Sequence, residues 1–201
     1  MKITYVMNTI EIAIIIILPL ILFYQLSSWK KNSYLIIIPI LYVIWYFSYG
    51  MLHEFAHMIG VLISGKEILD YQLIPHFWEG QFGTGFVKFD FQGDKRDFLI
   101  LLMPYLRDIL LVIIGYFIFS RRVLKNLFIT GLVLILFVFS SFFDVTNNYL
   151  AYVFGYMNDF NSIKVSSNSF ISHLIGLSFM ITSLLLTVKI LLISKGYPEK
   201  S

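Results

Sequence analysis

The chain has 201 residues, 58% of them hydrophobic and 13% charged, with a mean hydropathy of +0.80. This excludes an ordinary soluble domain and predicts an all-α polytopic membrane protein, multi-pass in the cell membrane. The net charge of +3, 15 Lys and Arg against 12 Asp and Glu, sits mostly in connecting segments and gives nucleic-acid binding no support. The chain has no cysteine, so a transition metal would have to be held by histidine and carboxylate side chains.

Five apolar runs follow in order. The first, 7–26, is long enough to span and lacks the short apolar region followed by small residues that marks a cleavable signal, so it reads as a retained accessory helix. The second, 34–65, exceeds the ~20 residues a bilayer crossing needs, which calls for tilt or protrusion. Gly50 and Gly60 lie on it at helical spacing from two histidines and would let another helix approach closely. Between 66 and 97 charges and glycines accumulate, and Phe86-Val87-Lys88-Phe89-Asp90-Phe91 alternates apolar and polar residues after a glycine-rich turn, the period of a strand. The third run, 98–120, holds Pro104, Arg107 and Asp108; the fourth, 127–154, holds Asp144 with Asn147 and Asn148 three and four residues on. Residues 155–168 read as a loop carrying Asp159, and 170–193 as a fifth, accessory helix. The expected organisation is one transmembrane domain over 1–201, with a three-helix core in 34–154 and a short membrane-associated β segment between the second and third helices.

Within the second run stands His53-Glu54-Phe55-Ala56-His57. Residues i and i+4 share a helix face, so both imidazoles can point at one ion while Glu54 flanks it. Ionisable side chains inside an apolar span are costly unless paired or functional. The pattern is that of a Zn2+ site in which the metal lowers the pKa of bound water and the adjacent carboxylate takes its proton. His76 lies outside the apolar runs, and a role as ligand is the lesser reading for it.

A catalytic zinc takes three protein ligands and a water, and with no cysteine the third ligand should be a carboxylate. At ~1.5 Å per residue, His53 and His57 lie roughly 12–18 Å from the Gly65 end of their helix, and Asp144 and Asp108 lie about 16 Å inside the same face. Asp144 is the first choice, because it matches in depth on a helix parallel to that of the histidines. Asp108 also matches, but its neighbour Arg107 gives it an ionic role that needs no metal. Asp159 reaches the site only if 155–168 folds back inward. Asn147 and Asn148 can hold an unwound substrate backbone and Arg107 can stabilise an oxyanion, with interhelical hydrogen bonding the alternative role for each.

HEFAH in an apolar helix, Gly60 and Gly65 after it, a strand-forming segment, a proline-containing helix and a later intramembrane aspartate together resemble the site-2 protease (M50) family of intramembrane zinc metallopeptidases. The resemblance covers about 34–154. It implies that His53, His57 and Asp144 bind zinc, that Glu54 is the general base, and that the strand around Phe89 receives substrate in extended form. The chain departs from the family's pattern where Val145 follows Asp144 in place of glycine, and where Met103 precedes Pro104 with Arg107 nearby, in place of Gly-Pro with an asparagine.

The expected function is therefore a zinc endopeptidase cutting peptide bonds in or next to transmembrane segments, with membrane-protein or peptide substrates and the lipid bilayer as partners. The alternative is a catalytically inactive relative whose polar cluster binds a partner or holds helices together. A di-iron oxygenase fits poorly, since only His76 and His173 would remain as further histidine ligands.

Overall fold

A computed structural model describes residues 33–74 and 85–195. The expected helix at 7–26 and His76 lie outside the described residues. The remainder is mainly helical, with a single small sheet among the described residues.

Helix α1, Ser33–Ser64, continues through Pro39 and carries HEFAH in its C-terminal half. It stops at Gly65, whose φ of 70° only glycine adopts readily. Gly65 N–H donates to the Leu62 carbonyl at 3.2 Å and Lys66 N–H to the Val61 carbonyl at 3.1 Å, closing the helix end with its own backbone. Strand β1, Ile68–Gln72, then pairs antiparallel with β2, Phe86–Phe89, Asp70 opposite Lys88 and Tyr71 opposite Val87. The period-two segment thus forms a strand, four residues long rather than six.

Helix α2, Lys95–Ser120, begins on the Asp94 side chain, which accepts from the backbone N–H of Arg96 and Asp97, while Asp97 reaches back to the cap. The fourth run is one helical rod built of α3, Leu127–Val133, a π-helical turn over Leu134–Phe139, and α4, Ser140–Val153. Residues 155–168, expected as a loop, instead contain helix α5, Asp159–Ser166, capped by Asn158 in a reciprocal box with Asn161. Last comes α6, Ser169–Lys195. The stretches Lys95–Ser120, Phe128–Val153 and Ser169–Ser194 are each long and apolar enough to cross a membrane; at 26 residues each is about 39 Å long against a hydrocarbon core of roughly 30 Å.

Two apolar clusters hold these helices together. One joins Leu41, Trp45, Val112, Phe119, Val138, Phe143 and Ile190; the other joins Leu101, Tyr105, Val145, Tyr149, Tyr152, Phe160 and Ile163. Arg107 and Asp108 on α2 fall between the segments that enter the two clusters, and so does Asp144 on α4, so the chain's polar residues occupy the level between them. Through Phe160 and Ile163, helix α5 folds inward onto the second cluster. Gly60 sets the spacing of α1 and α2: a Cβ there would stand 2.9 Å from the Ile100 Cα. Gly50, expected to serve the same purpose, has nothing within 4 Å of such a Cβ among the described residues.

The junction of α1, β2 and α2 is pinned by charge. The Lys66 ammonium is paired with Asp97, donates to the Asp90 carbonyl at 2.7 Å and lies 5.8 Å from the Phe89 ring centre. Asp97 Oδ2 also accepts the backbone N–H of Gln92, Gly93 and Asp94 at 2.6–3.1 Å.

Candidate metal centre

His53 and His57, one turn apart on α1, are both buried, with ring centres 5.0 Å apart. Each Nε2 faces the same atom, Oδ2 of Asp159, at 3.1 Å from His53 and 3.2 Å from His57. The Tyr105 hydroxyl donates to that oxygen at 2.9 Å. Helix α5 delivers the aspartate as its first residue. Its cap Asn158 also donates to the Asn148 carbonyl at 2.6 Å, fixing the start of α5 to α4. Burial raises the Asp159 carboxyl, and positive charge on its His57 and His53 side, carried by the imidazoles when protonated, outweighs that and holds it far below the ordinary carboxylate range. It is therefore an ionised acceptor at neutral pH. Its side chain is 23% exposed, which leaves the cluster a way out past α5.

The other imidazole nitrogens decide what occupies the centre. Nδ1 of His57 lies 3.0 Å from the Ile100 carbonyl. A carbonyl can only accept, so this nitrogen carries the proton, and a neutral His57 then turns the lone pair of Nε2 toward Asp159. Nδ1 of His53 contacts both oxygens of Asp144 at 2.8–2.9 Å, with the same consequence. With both histidines neutral, two imidazole lone pairs and one carboxylate oxygen converge, an arrangement that a cation among them would relieve; a doubly protonated imidazole would instead donate its Nε2 proton to Asp159. Tetrahedral zinc with bonds of about 2.0–2.2 Å spaces its ligand atoms about 3.3–3.6 Å apart, close to the 3.1 and 3.2 Å between the two Nε2 atoms and Asp159 Oδ2. The ligand atoms of His53, His57 and Asp159 all lie within 4.8 Å of one another, so the three form a possible metal-binding triad.

Asp144, expected as the third ligand, is fully buried on the opposite edge of the His53 ring from Nε2. Its Oδ1 accepts from Asn148 Nδ2 at 2.8 Å and its Oδ2 from Arg107 Nη2 at 2.8 Å. Asp108 is held by the same guanidinium, at 2.5 Å. Arg107 therefore spans two carboxylates, and Asn148 serves Asp144. Asn147 is not drawn into this network, and among the described residues its buried Oδ1 has no hydrogen-bond partner. Phe89 packs beside the second apolar cluster, under Lys66. Glu54 is half-buried, and the start of the β2 strand runs against it: a Cβ on Gly85 would lie 2.6 Å from the Glu54 Cγ.

Tyr105 and the Ile100 carbonyl had no announcing signal, since a tyrosine or isoleucine in an apolar helix reads as packing. The position of α5 did have one. Asn158 and Asn161 stand at capping spacing, with Phe160 and Ile163 three apart on one face. The chain matches no protein-family model, no curated protein and no solved structure.

Proposed function

We propose that this chain is an intramembrane zinc metalloendopeptidase of the site-2 protease type, with His53, His57 and Asp159 holding the metal and Glu54 acting as general base. What carries the reading is the convergence of two Nε2 atoms and one carboxylate oxygen while both Nδ1 positions are already used. When bound, zinc would supply an acidified water and a Lewis acid for the scissile carbonyl. Glu54 takes the proton of that water as its oxygen bonds to the carbonyl carbon. It then delivers the proton to the amide nitrogen as the C–N bond breaks. Tyr105 keeps Asp159 Oδ2 turned toward the imidazoles. Helical substrates hide their carbonyls in hydrogen bonds and must unwind first, so the two-stranded sheet beside Glu54 supplies a backbone edge for the extended segment.

The test is zinc content together with cleavage of a single-span substrate in liposomes, for wild type and Glu54→Gln. The variant should keep one zinc per chain and lose cleavage by about 10²–10⁴-fold, the usual contribution of a general base. Cleavage at the wild-type rate would remove Glu54 from the mechanism. A wild-type protein that binds zinc but cuts nothing would favour a binding or structural role for the metal.

A further inference from the structure

The two histidines of the triad are held from behind by unlike groups. Nδ1 of His57 donates to a neutral carbonyl, whereas Nδ1 of His53 donates to a fully buried carboxylate. That carboxylate is itself immobilised, with Asn148 on one oxygen and Arg107 on the other, while Arg107 is anchored by Asp108 through Nε at 3.1 Å and Nη2 at 2.5 Å. Swinging Asp144 round to the Nε2 side would break contacts to α1, to α2 and within α4. We propose that Asp144 is a positioning residue that acts on the metal through His53. It fixes the tautomer that leaves Nε2 unprotonated, holds the plane of the ring, and makes the imidazole a stronger donor. Arg107, Asp108 and Asn148 keep Asp144 in place, so the metal centre is braced by α2 and α4 although only α1 and α5 supply its ligands. The inference rests on the zinc reading above.

The experiment loads the full chain, purified in detergent, with Co2+ alone, and reads the d–d absorption band and the affinity by chelator competition. Wild type, Asp144→Asn, Asp159→Asn and Asn148→Ala are compared. Asp144→Asn should keep the shape of the wild-type band and bind about 10–100-fold more weakly, the usual cost of losing a carboxylate behind a ligating histidine. Asp159→Asn should change the band itself, because a ligand is lost. Asn148→Ala should keep the band and weaken binding by a smaller factor. A band in Asp144→Asn altered like that of Asp159→Asn would make Asp144 a direct ligand and overturn the proposal; so would wild-type affinity in Asp144→Asn. If Asp144→Asn does not fold, Asn148→Ala decides: weaker binding with the wild-type band supports the proposal, and wild-type affinity overturns it. Failure of wild type itself to take up Co2+ would sink the zinc reading and this inference with it, whereas a failure confined to the variants leaves the zinc reading standing.

Discussion

Asp97 and Asp159 are both aspartates in the first turn of a helix, both turned inward, and their surroundings are opposite. Asp97 is saturated with donors: three backbone N–H groups on Oδ2 and the Lys66 ammonium on Oδ1. Asp159 accepts from the Tyr105 hydroxyl and meets, on the same oxygen, two imidazole nitrogens whose partner nitrogens are committed elsewhere. A carboxylate that finds its donors in the protein is architecture. One that converges with two imidazole nitrogens forms a possible metal-binding triad. The distinction lies in the count of protons around the oxygen and is invisible in burial alone.

Removing the donors' target should cost stability at one site and metal at the other. Asp97→Asn leaves a buried ammonium without its closest counter-charge and weakens three backbone bonds. It should destabilise the fold by about 3 kcal/mol in reversible detergent unfolding, with zinc per folded chain unchanged. Loss of zinc without loss of stability would erase the contrast.

A smaller effect is expected at Gly60, which touches both sites' common scaffold. A Cβ there meets the Ile100 Cα at 2.9 Å and its carbonyl oxygen at 3.3 Å, the same oxygen that holds His57 Nδ1. Gly60→Ala should therefore cost about 2 kcal/mol of stability and also weaken zinc binding, because it moves α2 away from α1. Gly50→Ala, with nothing within 4 Å of its Cβ among the described residues, is the control and should do neither.

The smallest effect is expected at Tyr105, whose hydroxyl donates to the Asp159 oxygen that faces both histidines. Tyr105→Phe removes the hydroxyl and keeps the ring that packs on Phe160 at 4.7 Å. A single lost hydrogen bond of about 1 kcal/mol corresponds to roughly fivefold weaker zinc binding by chelator competition. A loss of a hundredfold or more would instead make Tyr105 a ligand.

Much of this was legible in the chain. Continuous apolar runs gave the long helices, because an apolar stretch of over 20 residues has few other solutions, and HEFAH put two imidazoles on one face by spacing alone. The strand at Phe86–Phe89 followed from alternation. Depth counting brought Asp108 and Asp144 to the level of the histidines, and both are there, but depth along a helix does not say which edge of an imidazole a carboxylate meets. From sequence Asp159 reaches the site only if 155–168 folds inward, and the polar composition of that stretch reads as a loop. Helix α5 is only eight residues long, too short for a strong periodic signal, and what bends it inward is the docking of Phe160 and Ile163. The Gly155 turn, with a φ of 85°, lets the chain reverse there.

The central claim is that Asp159 completes a metal site with His53 and His57. It is tested most directly by counting zinc per chain in wild type and Asp159→Asn, each purified in detergent and dialysed against a weak chelator. One equivalent in wild type and none in the variant, with the same helical content in both, is the predicted result. A full equivalent retained by Asp159→Asn, or none in wild type, would contradict it.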